Sequence, residues 1–391
     1  GFEAAGYPGA VTADCLMAFD PHLFRAEFPV TRSCIYMNHA AVAPISRRVR
    51  DAMAGLIDDV CQFGAAHWDR WAEAYCAARN AAARLLNADP REIAFTKNTS
   101  EGISTFANGL EWQEGDEVVS VEGEFPANYY PWQLLERKGV KLSLVPQTEG
   151  LVSLDAICSA IGARTRVVAV SFVQYLSGYR IDLEKLGDLC HSRGVLLFVD
   201  AIQGLGAFPL DVRRARIAAL AADAHKWLLG PEGSALFFLR QELFERVRPT
   251  TVGWFNFKRW GNFEAHDTSW RDDARRYECG TPNTVGIYGL GAAINLLLEI
   301  GVTPIAEHIL DLTDHLRHGL KKAGHQVFGP IERQDCSGIV SFVPRQSGTE
   351  DIVRLLRCRR IEVAARGGKV RVSPHFYNTH EEIDGLLGSL P

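Results

Sequence analysis

The stretch from Ile93 to Leu239 alternates short apolar runs with amphipathic segments, and this alternation restricts the fold more than any other feature. The runs are "EIAFT", "DEVVSV", "KLSLVP", "RVVAVSF", "VLLFVD", "IAALAA" and "SALFFL". Between the earlier ones lie the helical patterns "NTSEGISTFANGL", "PANYYPWQLLERKG" and "DLEKLGDLCHSRG", several closing on the glycine that often ends a helix. Strands alternating with helices predict an α/β fold with a mostly parallel sheet, which binds ligands at the carboxyl ends of its strands. Two helices are predicted ahead of the sheet, within residues 44–87. After about residue 290 long helices and the short strands "GIVSFVP" and "VRVS" take over. This change predicts a large domain over 46–290 and a smaller α+β domain over 291–391.

Bulk properties exclude several function classes. A formal net charge of −5 over 391 residues leaves no electrostatic footprint for nucleic acid or an anionic membrane. No apolar run approaches the roughly 18 residues of a membrane-spanning helix. The opening "GFEAAGYPGA" lacks the charged and apolar regions of a signal peptide. Nine scattered cysteines without a C-x-x-C pair argue against a disulfide framework or a zinc site, and predict a reducing cytoplasm. The dinucleotide signature G-x-G-x-x-G does not follow the first strand, and "GLGAAI" at 289–294 lies inside a helical pattern.

Residues that end separate strands should converge. After "EIAFT" comes "KNTSEG": the backbone N–H groups of Thr99, Ser100 and Glu101 form a helix N-terminus suited to phosphate. The same residues also read as a capping box between Asn98 and Glu101. Asp200 ends the most apolar run, where a carboxylate needs a cationic or hydrogen-bonding partner. Lys226 stands in "ADAHKWLLGPEG", read as a tight turn between two buried strands. Pyridoxal 5'-phosphate answers to all three features: a phosphate for the helix, a protonated ring nitrogen for Asp200, and an aldehyde that condenses with Lys226.

Nearly the whole chain, from "YMNHAAVAP" to "YNTHEEID", resembles the class V aminotransferase family of fold-type I pyridoxal-phosphate enzymes. That family includes cysteine desulfurases and isopenicillin N epimerase. The resemblance implies that residues 1–45 contribute to the small domain and the active site. "VDAIQ" implies Asp200 at the ring nitrogen and Gln203 at the ring oxygen, and "DAHKWLLGPEG" implies Lys226 as the cofactor lysine with His225 at the phosphate. "NTSEGI" implies phosphate contacts from Thr99 and Ser100, and "EFPANYYPW" implies Phe125 as the ring over the cofactor. "YECGTPNT" implies that Thr281 reaches the phosphate of a partner subunit in a homodimer with shared active sites. "VRVSPHFYN" implies that Arg371 grips a substrate α-carboxylate, with Asn38 and His39 on the substrate side. Taken singly, Phe125 also reads as a core aromatic, Arg371 as half of a salt bridge and His225 as a packed loop residue. Tyr175 in "VSFVQYLSG" reads equally as a substrate-side donor or a packing aromatic.

The sequence departs from the desulfurases of the family it resembles. Their mobile-loop cysteine has no counterpart in "IEVAARGGKVRVS", and Phe125 stands where they use histidine. Cys358, in a helix-to-strand pattern, reads as a core or surface thiol. The expectation is an enzyme acting at Cα of an amino acid, with Lys226 as base and Asp200 keeping the ring an electron sink. Transamination is the first reading; epimerisation and a C–S β-lyase or desulfurase-like reaction are the alternatives. A non-catalytic regulator would carry a basic DNA-binding segment before residue 36, and none is seen there.

Overall fold

The computed structural model describes residues 19–264 and 266–391, so the reading of "GFEAAGYPGA" lies outside the described residues. A two-residue strand, β1 (Ile35–Tyr36), precedes two helices, Arg47–Phe63 and Trp68–Leu86. Seven strands then build the main sheet: β2 (Ile93–Thr96), β3 (Glu117–Val121), β4 (Lys141–Val145), β5 (Thr165–Ser171), β6 (Leu196–Asp200), β7 (Ala219–Asp223) and β8 (Ala235–Leu239). Their order is β2-β8-β7-β6-β5-β3-β4. Only β8 runs against its neighbours, pairing antiparallel with both β2 and β7. Every residue of β2, β6, β7 and β8 is buried, which is why those segments read as unbroken apolar runs rather than alternating ones.

Two readings need correction. The segment 126–139 is no single helix but three short pieces, Pro126–Asn128, Tyr130–Gln133 and Leu134–Lys138. Pro126 and Pro131 are each tolerated in a first turn and not inside a helix, so each restarts the chain. The connection bearing Lys226 is not a tight turn either. It runs over 224–234, from the end of β7 to the start of β8.

A separate four-stranded antiparallel sheet has the order β12-β13-β10-β9, from β9 (Gln326–Phe328), β10 (Val340–Val343), β12 (Ala364–Arg366) and β13 (Lys369–Val372). Between β10 and β12 lies β11 (Ile361–Glu362), which pairs in parallel with β1. The chain just after β1 continues along this side, with Asn38 bridging Ser373. The long helices Thr284–Ile300 and Val302–Lys322 connect the two regions. Among the described residues no single helix is long and apolar enough to cross a membrane.

Candidate active site

Because β8 alone is reversed, the β7–β8 connection lies at the same edge as the carboxyl ends of β5, β6 and β7. Asp200 is the last residue of β6, registered beside Ala221 of β7, and is only 2 % exposed. Lys226 follows β7 and is 8 % exposed. Its loop is locked from within: Leu229 N–H donates to the Lys226 carbonyl (3.0 Å) and Gly230 N–H to that of Ala224 (2.9 Å). Leu229 takes φ +59°, a left-handed conformation that costs a side chain about 1–2 kcal/mol and is held here by full burial. Trp227 buries its indole in the core and donates Nε1–H to Gln203 Oε1 (2.9 Å).

The helix Thr99–Gly109 lies against β7 through Gly102, where a Cβ would come within 2.7 Å of the Ala221 methyl. That close approach sets the helix N-terminus beside the lysine loop. Asn98 caps it by accepting the Glu101 N–H (2.9 Å). Glu101 does not return to Asn98 as a full capping box requires; its carboxylate takes the Lys97 N–H (2.6 Å). The Thr99 hydroxyl accepts the Asp223 N–H (2.9 Å), tying the helix start to the end of β7. Ser100, next along the helix, is exposed.

Burial pushes the Asp200 carboxyl up, the nearby Glu124 adds to this, and the Ile202 N–H and Lys226 oppose it. Burial pushes the Lys226 ammonium down, against the pull of Asp200, and the charge of Arg371 lowers it further. Desolvation thus makes the amine readily neutral and nucleophilic. The ammonium lies 5.6 Å from the centroid of the Phe125 ring, which is 44 % exposed. The Tyr175 ring meets Phe125 edge-on at 5.4 Å.

Arg371, on β13, is 2 % exposed and donates Nη1–H to the Tyr175 carbonyl (2.9 Å), while its Nε has no partner among the described residues. Burial, helped by the like charge of Arg366, lowers its guanidinium to about 10. It is not half of a salt bridge with any described residue. A desolvated fork with an idle N–H is poised for a carboxylate from outside the chain.

The segment after β1 packs against the lysine loop. Ala40 accepts from Gln203 Nε2 (3.0 Å), and Ala43 N–H donates to the His225 carbonyl (2.7 Å). Asn38 Oδ1 is buried without a partner. His225 Nδ1 lies 3.1 Å from an Asp223 oxygen, but without the alignment of a hydrogen bond. His39 is fully buried with both ring nitrogens already bonded. Its Nδ1 donates to the Ser373 carbonyl (2.8 Å) and its Nε2 accepts from the Tyr377 hydroxyl (2.6 Å). Burial lowers that imidazole to about 4, so it stays neutral and holds the segment in place. Thr281 lines a groove of about 540 Å³ with Lys97, Glu101, Gly233 and Asn283.

Two residues escaped the sequence reading. Glu124 is buried, and its carboxylate accepts the Ser171 N–H (2.8 Å), the Ser171 hydroxyl and Gln174 Nε2 (2.9 Å), which fixes the backbone from which Phe125 projects. Its place beside Phe125 in "EFPANYYPW" was the available signal. Arg366, whose charge reaches both Lys226 and Arg371, lies in the very stretch read only for a missing thiol.

A buried lysine and carboxylate at neighbouring strand ends, a helix N-terminus beside them and a buried arginine nearby make a set of groups suited to pyridoxal phosphate. The unpartnered Asn38 Oδ1, His225 Nδ1 and Arg371 Nε fit a polar ligand of that kind. The family description Aminotransferase class-V matches residues 35–386. An uncharacterized aminotransferase of Bacillus subtilis, YcbU, is 30% identical over 372 residues, covering 93% of this chain and 95% of that protein. A cysteine desulfurase of Klebsiella pneumoniae is 31% identical over 412 residues, covering 96% and 98%. Among solved structures, the apo cysteine desulfurase of Thermococcus onnurineus superposes with a TM-score of 0.87 at 27% identity, covering 94% of this chain and 96% of that one. The chain belongs to the class-V aminotransferase family of pyridoxal-phosphate enzymes.

Proposed function

We propose that this chain is an aminotransferase that takes the proton from Cα of an amino acid held by Arg371. Bound pyridoxal phosphate supplies the sink for the electron pair left at Cα. Lys226 Nζ, made neutral by desolvation, accepts the Cα proton and redelivers it. Asp200, ionised, holds the proton on the ring nitrogen. Thr99, Ser100 and His225 would hold the phosphate, Gln203 the ring oxygen, and Phe125 would cover one face. Arg371 anchors the α-carboxylate, with Asn38 and Tyr175 beside it.

One observation carries transamination over desulfuration. The segment that the family resemblance matches to a desulfurase's cysteine loop is an antiparallel hairpin of β12 and β13, registered from Ala364↔Arg371 to Arg366↔Lys369, and it contains no cysteine. Cys358 is exposed at the end of the helix Thr349–Cys358, outside that hairpin. Incubating the holoenzyme with an amino-acid panel and a keto acid in deuterated water, with mass spectrometry of the products, tests the assignment. A new amino acid derived from the keto acid supports it. Retention of the amino group with inverted, deuterated Cα would replace it by epimerisation.

The Cys358→Ser variant should keep its turnover within about threefold, as expected of an exposed position outside the site. No persulfide should accumulate on any cysteine when L-cysteine is supplied. Any sulfide released should come with equal pyruvate and ammonia, the products of β-elimination and hydrolysis. Stoichiometric alanine with a protein persulfide would instead make the chain a desulfurase.

The proposal includes a homodimer in which Thr281 completes the partner subunit's phosphate site. Exposed apolar side chains on the helix Arg47–Phe63, namely Ile57, Val60 and Phe63, support a covered face. Mixing Thr281→Ala and Lys226→Ala subunits should partly restore activity, because a hybrid dimer pairs one intact site with one doubly damaged site. No recovery after verified subunit exchange would put both residues in one subunit's site.

A further inference from the structure

The β12–β13 hairpin turns through Gly367 (φ +52°) and Gly368 (φ +72°). Two successive left-handed residues make the tight turn that matches strand twist and that few residues other than glycine adopt, so the tip is held in one register. Side chains alternate along a strand, and directly paired residues share a face. Ala364 stands opposite Arg371 and Arg366 opposite Lys369, which puts Arg366 on the face that carries Arg371. The two are diagonal neighbours, about 7 Å apart at Cβ. Ala364, directly opposite Arg371, carries only a methyl group on that face.

The tip leans on the segment that holds Arg371. A Cβ at Gly367 would come within 3.1 Å of Leu176 Cδ2, and Leu176 follows Tyr175, whose carbonyl holds Arg371. Arg366 is exposed, and no described residue offers it an ion pair or a hydrogen bond. The other cation of the tip is engaged elsewhere: the Lys369 ammonium sits 4.3 Å from the Phe328 ring centroid and 3.3 Å from the Gly367 carbonyl. The like charge of Arg366 lowers both Lys226 and Arg371, and no carboxylate is among the groups that act on Arg371. Asp200 and Glu124 lie deeper, with Glu124 already bonded to Ser171 and Gln174. The outer end of the cavity therefore has one more arginine than an α-carboxylate requires.

We propose that Arg366 is a second anion subsite, which makes the preferred amino donor an amino acid with an acidic side chain, such as aspartate or glutamate. The α-carboxylate takes the buried Arg371 and the side-chain carboxylate takes Arg366 at the rim. The inference rests on the amino-acid reading of the site given above. Binding of simple acids to the holoenzyme tests it without turnover. Glutarate should bind at least about tenfold more tightly than butyrate, a mono-acid of similar length. Arg366→Gln should reduce that ratio to less than about twofold, and Arg366→Lys should keep part of it. Lys369→Gln, which removes one positive charge from the same hairpin, should leave the ratio intact. In turnover, kcat/KM for aspartate or glutamate should exceed that for L-alanine by at least about tenfold, with Arg366→Gln erasing the preference mainly through KM.

Equal affinity for glutarate and butyrate in the unaltered protein would overturn the subsite. So would equal weakening of both acids by Arg366→Gln, or a loss as large with Lys369→Gln. If the acids bind as stated and yet no amino acid in the panel loses its Cα proton, the reaction assignment fails and the subsite stands.

Discussion

Lys226→Ala should lower turnover by on the order of 10⁴-fold, the upper range for removal of a positioned acid–base group. The same variant should still bind pyridoxal phosphate, because the helix N-terminus at Thr99, the Asp200 carboxylate and the Phe125 ring are independent of the lysine side chain. Its amine is lowered by burial at the carboxyl edge of the sheet, next to Asp200 and within the field of Arg371. Deprotonation therefore needs less alkaline conditions than for a solvated lysine, and the limb of the rate profile governed by Lys226 should lie below the usual lysine range. Stopped-flow measurement of the half-reaction with a good amino donor gives both the loss and the profile. A variant that retains more than about a tenth of the turnover would remove Lys226 from proton transfer.

Asp200→Asn should slow exchange of the Cα proton by roughly 10²–10⁴-fold, since losing one member of a buried charge pair costs about 3–5 kcal/mol. Its carboxylate is desolvated at the end of β6, and burial alone drives it toward the neutral acid. An added positive charge would favour its ionised form, and a protonated ring nitrogen would supply that charge. Asparagine is nearly the same shape, so cofactor affinity should fall less than exchange. Proton exchange followed by NMR in deuterated water reads this directly. Near-normal exchange in the variant would show that the ring needs no charge from Asp200.

The seven main strands were legible because most are buried on both faces and so appear as continuous apolar runs. The reversal of β8 was not, since strand direction depends on the route of residues 224–234 rather than on composition. Reading a tight turn there placed Lys226 at the correct edge for an incomplete reason. The helical pattern over 126–139 concealed two prolines whose backbone limits outweigh periodicity. That Asp200, Lys226, Phe125 and Arg371 come near one another follows from a conspicuous or chemically costly residue standing at the end of each of several elements. The bonding of His39 was not legible, because its partners Ser373 and Tyr377 lie at the far end of the chain and only folding reveals that both its nitrogens are taken. Arg366 was hidden by the question put to its segment, which was whether it held a thiol.

Borohydride reduction of the holoenzyme followed by peptide mapping tests the central claim most directly, because it fixes the cofactor to the amine that carries it. The expected result is a bleached protein with one reduced adduct per chain, on Lys226 in "ADAHKWLLGPEG". An adduct on Lys97, Lys258 or Lys369 would contradict it.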